Sequence, residues 1–239
     1  MRADIRPGAA FPDYQLPDHT GTPRRLSEIQ GSDPTIIVLA REAYSAKDQR
    51  QHEGLVQLWS EMKPGVGYCR MVTITTSDPQ ETFNYRSGVN AEWPFLSDTD
   101  RIVQRDLDIA EYTDPAHNQM VPHTIVCAPG LVIYKIYNGY WFFGRPTVEE
   151  LRMDLRAVLR QCHWDWDLSD PQVRAAWDLG QMDRFLPAGT GLATGPASAP
   201  GGLTGPGRLP GDGRADVAEL ISRTARLAWS RLAPGDRSP

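Results

Sequence analysis

From Thr35 to Ala40 the chain reads TIIVLA, apolar and mostly β-branched without polar alternation, which predicts a strand buried on both faces. Polar residues take over at Arg41. Apolar ones return at Leu55, Leu58, Trp59 and Met62, the spacing of one helix face, so Lys47–Met62 predicts a helix that Pro64-Gly65 stops. Cys69–Thr76 (CRMVTITT) reads as a second strand, Pro79–Ser87 as a short helix, Trp93–Leu96 as a brief extended piece and Asp98–Leu107 as a helix. Val121–Ala128 and Leu131–Tyr137 are two strands joined through Ala-Pro-Gly-Leu, a hairpin signal. Val148–Gln161 is the strongest helix: Leu151, Leu155, Val158 and Leu159 share a face, and Glu149-Glu150 suit the positive end of its dipole. Pro12, Pro17, Gly21 and Pro23 punctuate an extended lead-in with a hairpin. The order β-α-β-α-α-β-β-α predicts an α/β domain with a mainly parallel sheet covered on both faces and a late hairpin as an antiparallel edge.

Beyond Gln161 the pattern changes. His163–Phe185 is acidic, rich in tryptophan and reads as partly helical. Pro187–Gly213 is dominated by Gly, Pro, Ala, Ser and Thr, which predicts a flexible linker. Arg214–Leu232 regains helical periodicity through Val217, Leu220, Ile221, Thr224, Leu227 and Ala228. A helix of about 18 residues is marginal alone, so this stripe calls for a surface on its own domain, a second copy or another protein. The division expected is a domain over 1–165, an acidic extension over 166–186, a linker over 187–213 and an amphipathic helix within 214–239.

The 239 residues, 40% hydrophobic and 23% charged, suit one globular domain with extensions. A net charge of −5 argues against a nucleic-acid surface as the main function. No apolar run approaches the roughly 20 residues that span a bilayer. The opening MRADIRPGAAFPDY lacks the apolar core of a secretory signal. Three cysteines without framework spacing (Cys69, Cys127 and Cys162) suit structural thiols in a reducing cytosol, so the expected location is cytoplasmic. The histidines show no metal-ligand spacing, GTGLATG lies in the linker rather than between a strand and a helix, and neither metal nor cofactor is expected.

Several segments resemble the AhpC/TSA branch of the thioredoxin superfamily, the peroxiredoxin-like redoxins, over roughly residues 5 to 165. They are GAAFPDYQLPDHTGTPRRLSEI at the start, VTITTSDP at the second strand, VPHTIVCAPGLVIYKIYNG at the proline loop and hairpin, and GRPTVEELRMDLRAVL at the last helix. The resemblance implies a thioredoxin fold, thiol-dependent reduction of peroxides or disulfides, and a homodimer as one possible assembly. It lays AREAYSAKDQRQ over the active-site turn, where related redoxins carry Tyr-Cys-Pro-Lys-Asp. Aligned through Tyr44, Lys47 and Asp48, the cysteine falls on Ser45 and the proline on Ala46. It also implies a cis bond before Pro122 and a stabilising role for Arg145 at the site or its dimer.

A helix N-terminus and nearby cations lower a thiol's pKa, and the thiolate attacks disulfides or is oxidised by peroxide. Serine is far less acidic, and a few pKa units, about 1.4 kcal/mol each, do not make it a substitute. The other thiols are poorly placed. Cys69 begins its strand about 20 Å from the site-facing end, Cys127 lies about 16 Å down another, and Cys162 ends the closing helix. Ser45 as a hydrolytic nucleophile lacks the Gly-x-Ser-x-Gly context, although His123 could act as its base or simply bond its own loop.

What remains is a polar pocket expected to gather Arg41, Ser45, Lys47, Asp48, Thr75, Asp78 and His123, with Tyr44, Pro122 and Arg145 beside them. Lys47 opposes the helix dipole and reads as a solvated side chain or a ligand-binding device. The aromatic run Tyr137–Phe143 reads as core, interface or substrate platform. Two readings follow: a redox-degenerate member that binds a ligand or protein partner, or an enzyme using a relocated thiol or the retained pocket.

Overall fold

The computed structural model describes residues 1–114, 116–140, 143–163 and 169–181. It divides into two compact units, Met1–Cys162 and His163–Pro239. The first opens with a small antiparallel pair, β1 (Gln15–Pro17) and β2 (Pro23–Arg25), and a five-residue helix, α1 (Leu26–Gln30). Then follow β3 (Thr35–Leu39), α2 (Ala46–Met62), β4 (Arg70–Thr75), α3 (Pro79–Gly88), β5 (Phe95–Ser97), α4 (Ile102–Asp106), β6 (His123–Ala128), β7 (Val132–Asn138) and α5 (Val148–Cys162). A five-stranded sheet runs in the order β5-β4-β3-β6-β7.

The sheet is mixed and flanked by helices, as the thioredoxin fold implied by the resemblance requires, and its antiparallel part is larger than the hydropathy pattern alone predicts. β3 pairs parallel with β4 and β4 with β5, but β6 runs antiparallel to both β3 and β7. The hairpin therefore places β6 against the central strand rather than adding only an edge. The register brings Leu39 opposite His123, and His123 opposite Asn138. Thus the ends of β3, β4, β5 and β7 and the start of β6 share one end of the sheet.

β3 is buried along its whole length because both faces are covered, as its unbroken apolar run implies. Its odd-numbered residues Ile37 and Leu39 pack with Phe11, Leu16, Leu26, Val103, Leu107 and Ile125. Ile36 and Val38 pack on the other face with Leu55, Leu58, Met62, Leu151, Leu155 and Val158 from α2 and α5. Each such side chain contributes about 1.5–3 kcal/mol on burial.

Three departures have local causes. α1 is too short to show periodicity, and Asp13 accepts the Ser27 N–H at 2.9 Å near its start. The extended piece near Trp93 begins later, at Phe95, and is a full sheet strand on β4. The helix after it begins at Ile102 rather than Asp98, because Asp98 lies outside as its cap. The Asp98 carboxylate accepts from the N–H groups of Ile102, Val103 and Gln104 at 2.7, 3.1 and 3.0 Å, and Arg101 takes a left-handed φ of 56°.

In the second unit α6 (Pro171–Asp178) supplies the partly helical extension; Asp170 accepts the Gln172 N–H at 2.7 Å and Pro171 occupies the first turn. The expected linker and C-terminal helix lie outside the described residues. No described helix is long and apolar enough to cross a membrane.

Candidate functional site

The turn from β3 into α2 carries Arg41 to Ser45. Ala40 prolongs the sheet, its N–H bonding Ile74 O at 2.9 Å, and the Ser45 N–H closes the turn on Glu42 O at 3.1 Å. Ser45 has extended φ/ψ (−78°, 103°) and is the N-cap of α2. Its Oγ accepts the Asp48 N–H at a long 3.4 Å, and the residue is only 8% exposed. Asparagine, aspartate and serine favour this position because their oxygens satisfy orphan N–H groups.

Asp48, its side chain 1% exposed, is the centre of the site. Oδ2 accepts the Arg41 N–H at 3.0 Å, while Oδ1 accepts from Arg145 Nε at 3.0 Å and also from Arg145 Nη2. Arg145 further donates through Nη1 to Gly139 O at 3.2 Å, and the Gly139 N–H bonds Pro122 O at 2.8 Å. The first turn of α2, the loop after β7 and the Pro122 loop are thus joined through one carboxylate. A buried charge of this kind is tolerable only when paired and hydrogen-bonded.

Beneath it lies a network around His52, one turn along the same helix face. His52 Nδ1–H donates to Asp48 O at 2.8 Å and lies 3.0 Å from the Tyr85 oxygen; Nε2 is 3.2 Å from Thr73 Oγ1, which accepts from Trp93 Nε1 at 3.0 Å. Protonation of Nδ1 toward the carbonyl leaves Nε2 as the acceptor of the Thr73 hydroxyl. Burial lowers the His52 pKa and keeps the ring neutral.

Other expected site residues take separate places. Arg41 turns its guanidinium to Glu111, with Nη2 donating to Oε1 at 2.7 Å, and Thr113 Oγ1 donates to the same oxygen at 2.8 Å. Tyr44 stacks on His117, with centroids 4.4 Å apart, and His117 Nδ1 lies 2.8 Å from Asp114. Lys47 lies on the exposed side of the first turn.

Thr75 and Asp78 do not join the Ser45 cluster. Thr75 is buried with its hydroxyl 3.1 Å from that of Thr82, and Asp78 caps α3 by accepting the Glu81 N–H at 2.8 Å. Asp78 serves the start of α3, whose orphan N–H groups need an acceptor, and Thr75 ties the end of β4 to the same helix through the Thr82 hydroxyl. The bond before Pro122 is trans, not the cis bond implied by the resemblance. The trans loop is held by Val121 N–H to Ile109 O at 2.7 Å and by the Gly139–Pro122 bond. His123 Nδ1 bonds Val121 O at 2.8 Å rather than Ser45.

Glu111 and the His52 network went unpredicted. Glu111 lies 70 positions from Arg41, and no local pattern links them. His52 was accessible to reasoning, since it follows Asp48 by four and precedes Leu55 by three on one helix face.

Two cavities flank the turn. One of about 550 Å³ lies between α2 and α3 against Glu42, Tyr44, Glu53, Glu81 and Tyr85. The other, about 380 Å³, is lined by Glu111, Tyr112, Val121, His123, Asn138 and Tyr140. Ser45 lines neither. The thiols are far from nucleophilic: burial pushes Cys69 up to about 12 and Cys162 up to about 11, and raises Cys127 as well. Among the described residues no group of three or more His, Cys, Asp or Glu side chains could hold a metal ion.

Residues 7–136 match the model of the AhpC/TSA family. No curated protein sequence matches the chain. Among solved structures, peroxidoxin BcpB from Mycobacterium tuberculosis is 20% identical, with a TM-score of 0.54 over 65% of this chain and 97% of that one. The mitochondrial 1-Cys peroxiredoxin of yeast is 15% identical, with a TM-score of 0.58 over 70% of this chain and 84% of its own. A Cys-to-Ser mutant of PrxQ from Xylella fastidiosa is 13% identical, with a TM-score of 0.54 over 65% and 98%. At these identities the structures show the thioredoxin-type fold.

Proposed function

The chain belongs to the AhpC/TSA family, and from that membership we propose that it keeps the redoxin scaffold, runs no thiol chemistry at position 45, and works by binding a ligand or partner beside the Ser45 turn. The observation that carries this is the commitment of Arg145. A cation beside a helix N-terminus is what would hold a thiolate there, but Arg145 meets the buried carboxylate of Asp48 at both Nε and Nη2. Ser45 meanwhile acts as a cap, a role for which its oxygen is suited and which consumes no redox chemistry.

A relocated thiol is disfavoured by the same physical terms. Burial raises the pKa of all three thiols well above neutrality, so the nucleophilic thiolate is scarce at each. Binding is favoured by the two cavities and the exposed aromatic side chains that line them, Tyr44 in one and Tyr112 and Tyr140 in the other. Such rings supply contact area at low entropic cost. The three free cysteines suit a reducing compartment such as the cytoplasm.

The test is peroxide consumption with dithiothreitol as reductant, comparing the chain with its Ser45→Cys variant. The expected outcome is an inert chain and a variant that gains at most slow turnover, because Arg145 stays on Asp48. Catalytic consumption by the unaltered chain would overturn the proposal, and its loss on alkylation would then assign the chemistry to Cys69, Cys127 or Cys162.

A further inference from the structure

The end of the β6–β7 hairpin sets two polar side chains next to each other at the smaller cavity. His123 and Asn138 are directly opposed in the antiparallel register, and both line the cavity. Residues opposed in this way hold their Cβ atoms about 4.5–5.5 Å apart on one face of the sheet. His123 is 4% exposed, and its Nδ1 lies 2.8 Å from the Val121 carbonyl oxygen. A carbonyl only accepts, so the proton sits on Nδ1 and Nε2 keeps a lone pair. Burial lowers the pKa of the ring, which keeps that acceptor in place at neutral pH. Among the described residues nothing bonds Nε2, which keeps contact with solvent where Glu111 Oε2 and Arg41 Nε have none.

Asn138 supplies the opposite function. Its Oδ1 accepts the Tyr140 N–H at 3.0 Å, which fixes the orientation of the amide and leaves Nδ2 as the outward donor. The residue is exposed, and Nδ2 bonds no other described residue. An acceptor on β6 thus stands beside a donor on β7. Tyr112 and Tyr140 supply exposed rings at the same cavity. This pairing discriminates among polar groups. A carboxylate only accepts and would set its lone pairs against Nε2, while an amidinium only donates and would face Nδ2. A hydroxyl has one oxygen to share between two partners. A primary carboxamide carries an N–H and a carbonyl oxygen on the same side, one for each.

We propose that this cavity binds a small aromatic primary carboxamide, whose N–H donates to His123 Nε2 and whose carbonyl accepts from Asn138 Nδ2 while the ring packs against Tyr112 and Tyr140. Benzamide is the simplest such ligand. The volume of about 380 Å³ falls within the range of small-molecule pockets, roughly 300–1,000 Å³. The inference rests on the binding role given to the chain above and names the ligand class and the place.

The experiment is an amide NMR titration of the full chain with benzamide, and in parallel with N,N-dimethylbenzamide, which keeps the ring and the carbonyl but has no donor. Expected are saturable shifts over 109–113, at 121 and 123, and over 138–140 with benzamide, and binding at least tenfold weaker for the dimethyl compound. His123→Phe, which keeps the bulk and removes the acceptor, should weaken benzamide at least tenfold. Asn138→Asp lies at an exposed position and keeps an oxygen for the Tyr140 N–H, so the proposal stays testable if the His123 variant does not fold. It replaces the donor by an acceptor, and should weaken benzamide at least tenfold while strengthening benzamidine, which only donates. Absence of saturation, equal affinity for benzamide and its dimethyl form, benzamide binding unchanged in Asn138→Asp, or shifts confined to residues 44–48 would each overturn it. The peroxide assay separates the two levels: an inert chain that ignores benzamide retains the binding role and loses this ligand, whereas a peroxide-consuming chain loses the role itself.

Discussion

On the α2 side of the Ser45 turn a buried carboxylate is matched on both oxygens, Asp48 by the Arg41 N–H and by Arg145. On the other side the Glu111 carboxylate is matched on one oxygen, and beside it Arg41 Nε and Glu111 Oε2 are buried without partners. Both sides are built from an arginine and an acid, yet one is closed and the other borders a cavity. The closed side has the character of a structural joint, and the other is a less completely matched ion pair at a cavity wall. In this chain the Ser45 turn is tied to its neighbours through the Asp48 carboxylate, while the Arg41–Glu111 pair lies beside a cavity that also meets His123, at the start of β6.

The largest effect should come from breaking the joint. Asp48→Ala strands the Arg145 guanidinium in the interior and should cost about 3–5 kcal/mol in urea denaturation. Glu111→Ala should cost less, about 1–2 kcal/mol, because Arg41 is 23% exposed and water reaches it. Equal losses would remove the distinction between the two sides.

Acid should act next. His52 and His123 have lowered pKa values in the fold, so the unfolded chain binds more protons and stability rises with pH. Their contribution is complete above about pH 6.5, the unfolded value, and drains away as the pH falls below it, with a slope approaching about 1.4 kcal/mol per pH unit for each ring. Urea midpoints between pH 7.5 and 5.5 should show this, and His52→Leu should flatten the slope. A midpoint independent of pH over that window would mean that neither ring is held neutral.

The smallest effect should come from Ser45. Ser45→Ala removes a cap whose 3.4 Å bond is long, and should cost about 0.5–1 kcal/mol by the same denaturation measurement. A loss as large as that of Asp48→Ala would make the cap, not the ion pair, the joint.

The sequence carried the fold well where patterns were long. The apolar run at β3 and the helical spacing of α2 and α5 each occupied enough positions to declare their period, and their bounds fall within a residue or two of those observed. Elements of three or five residues, β5 and α1, had no period to show. Site residues divided along a similar line. Ser45, Asp48 and Arg145 were legible because the strand–turn–helix order and the family resemblance fix where they stand. Thr75 and Asp78 were placed at the correct end of the sheet but in the wrong cluster, since a strand's end is readable while the direction of its last side chains depends on the helix that follows. The Arg41–Glu111 pair depended on a loop between α4 and β6 with no repeating pattern at all.

One position sets how this site can change across generations. A methyl group on Gly144 would collide with the Asn138 carbonyl oxygen, a backbone atom that cannot step aside alone. The next residue is Arg145, so any side chain at 144 displaces the cation from Asp48. Ser45 carries no such restriction, because an alcohol and a thiol fit nearly the same space. Exchange of Ser45 for cysteine therefore leaves the Asp48–Arg145 joint in place while changing the chemistry at the turn, whereas any replacement of the glycine opens the joint itself.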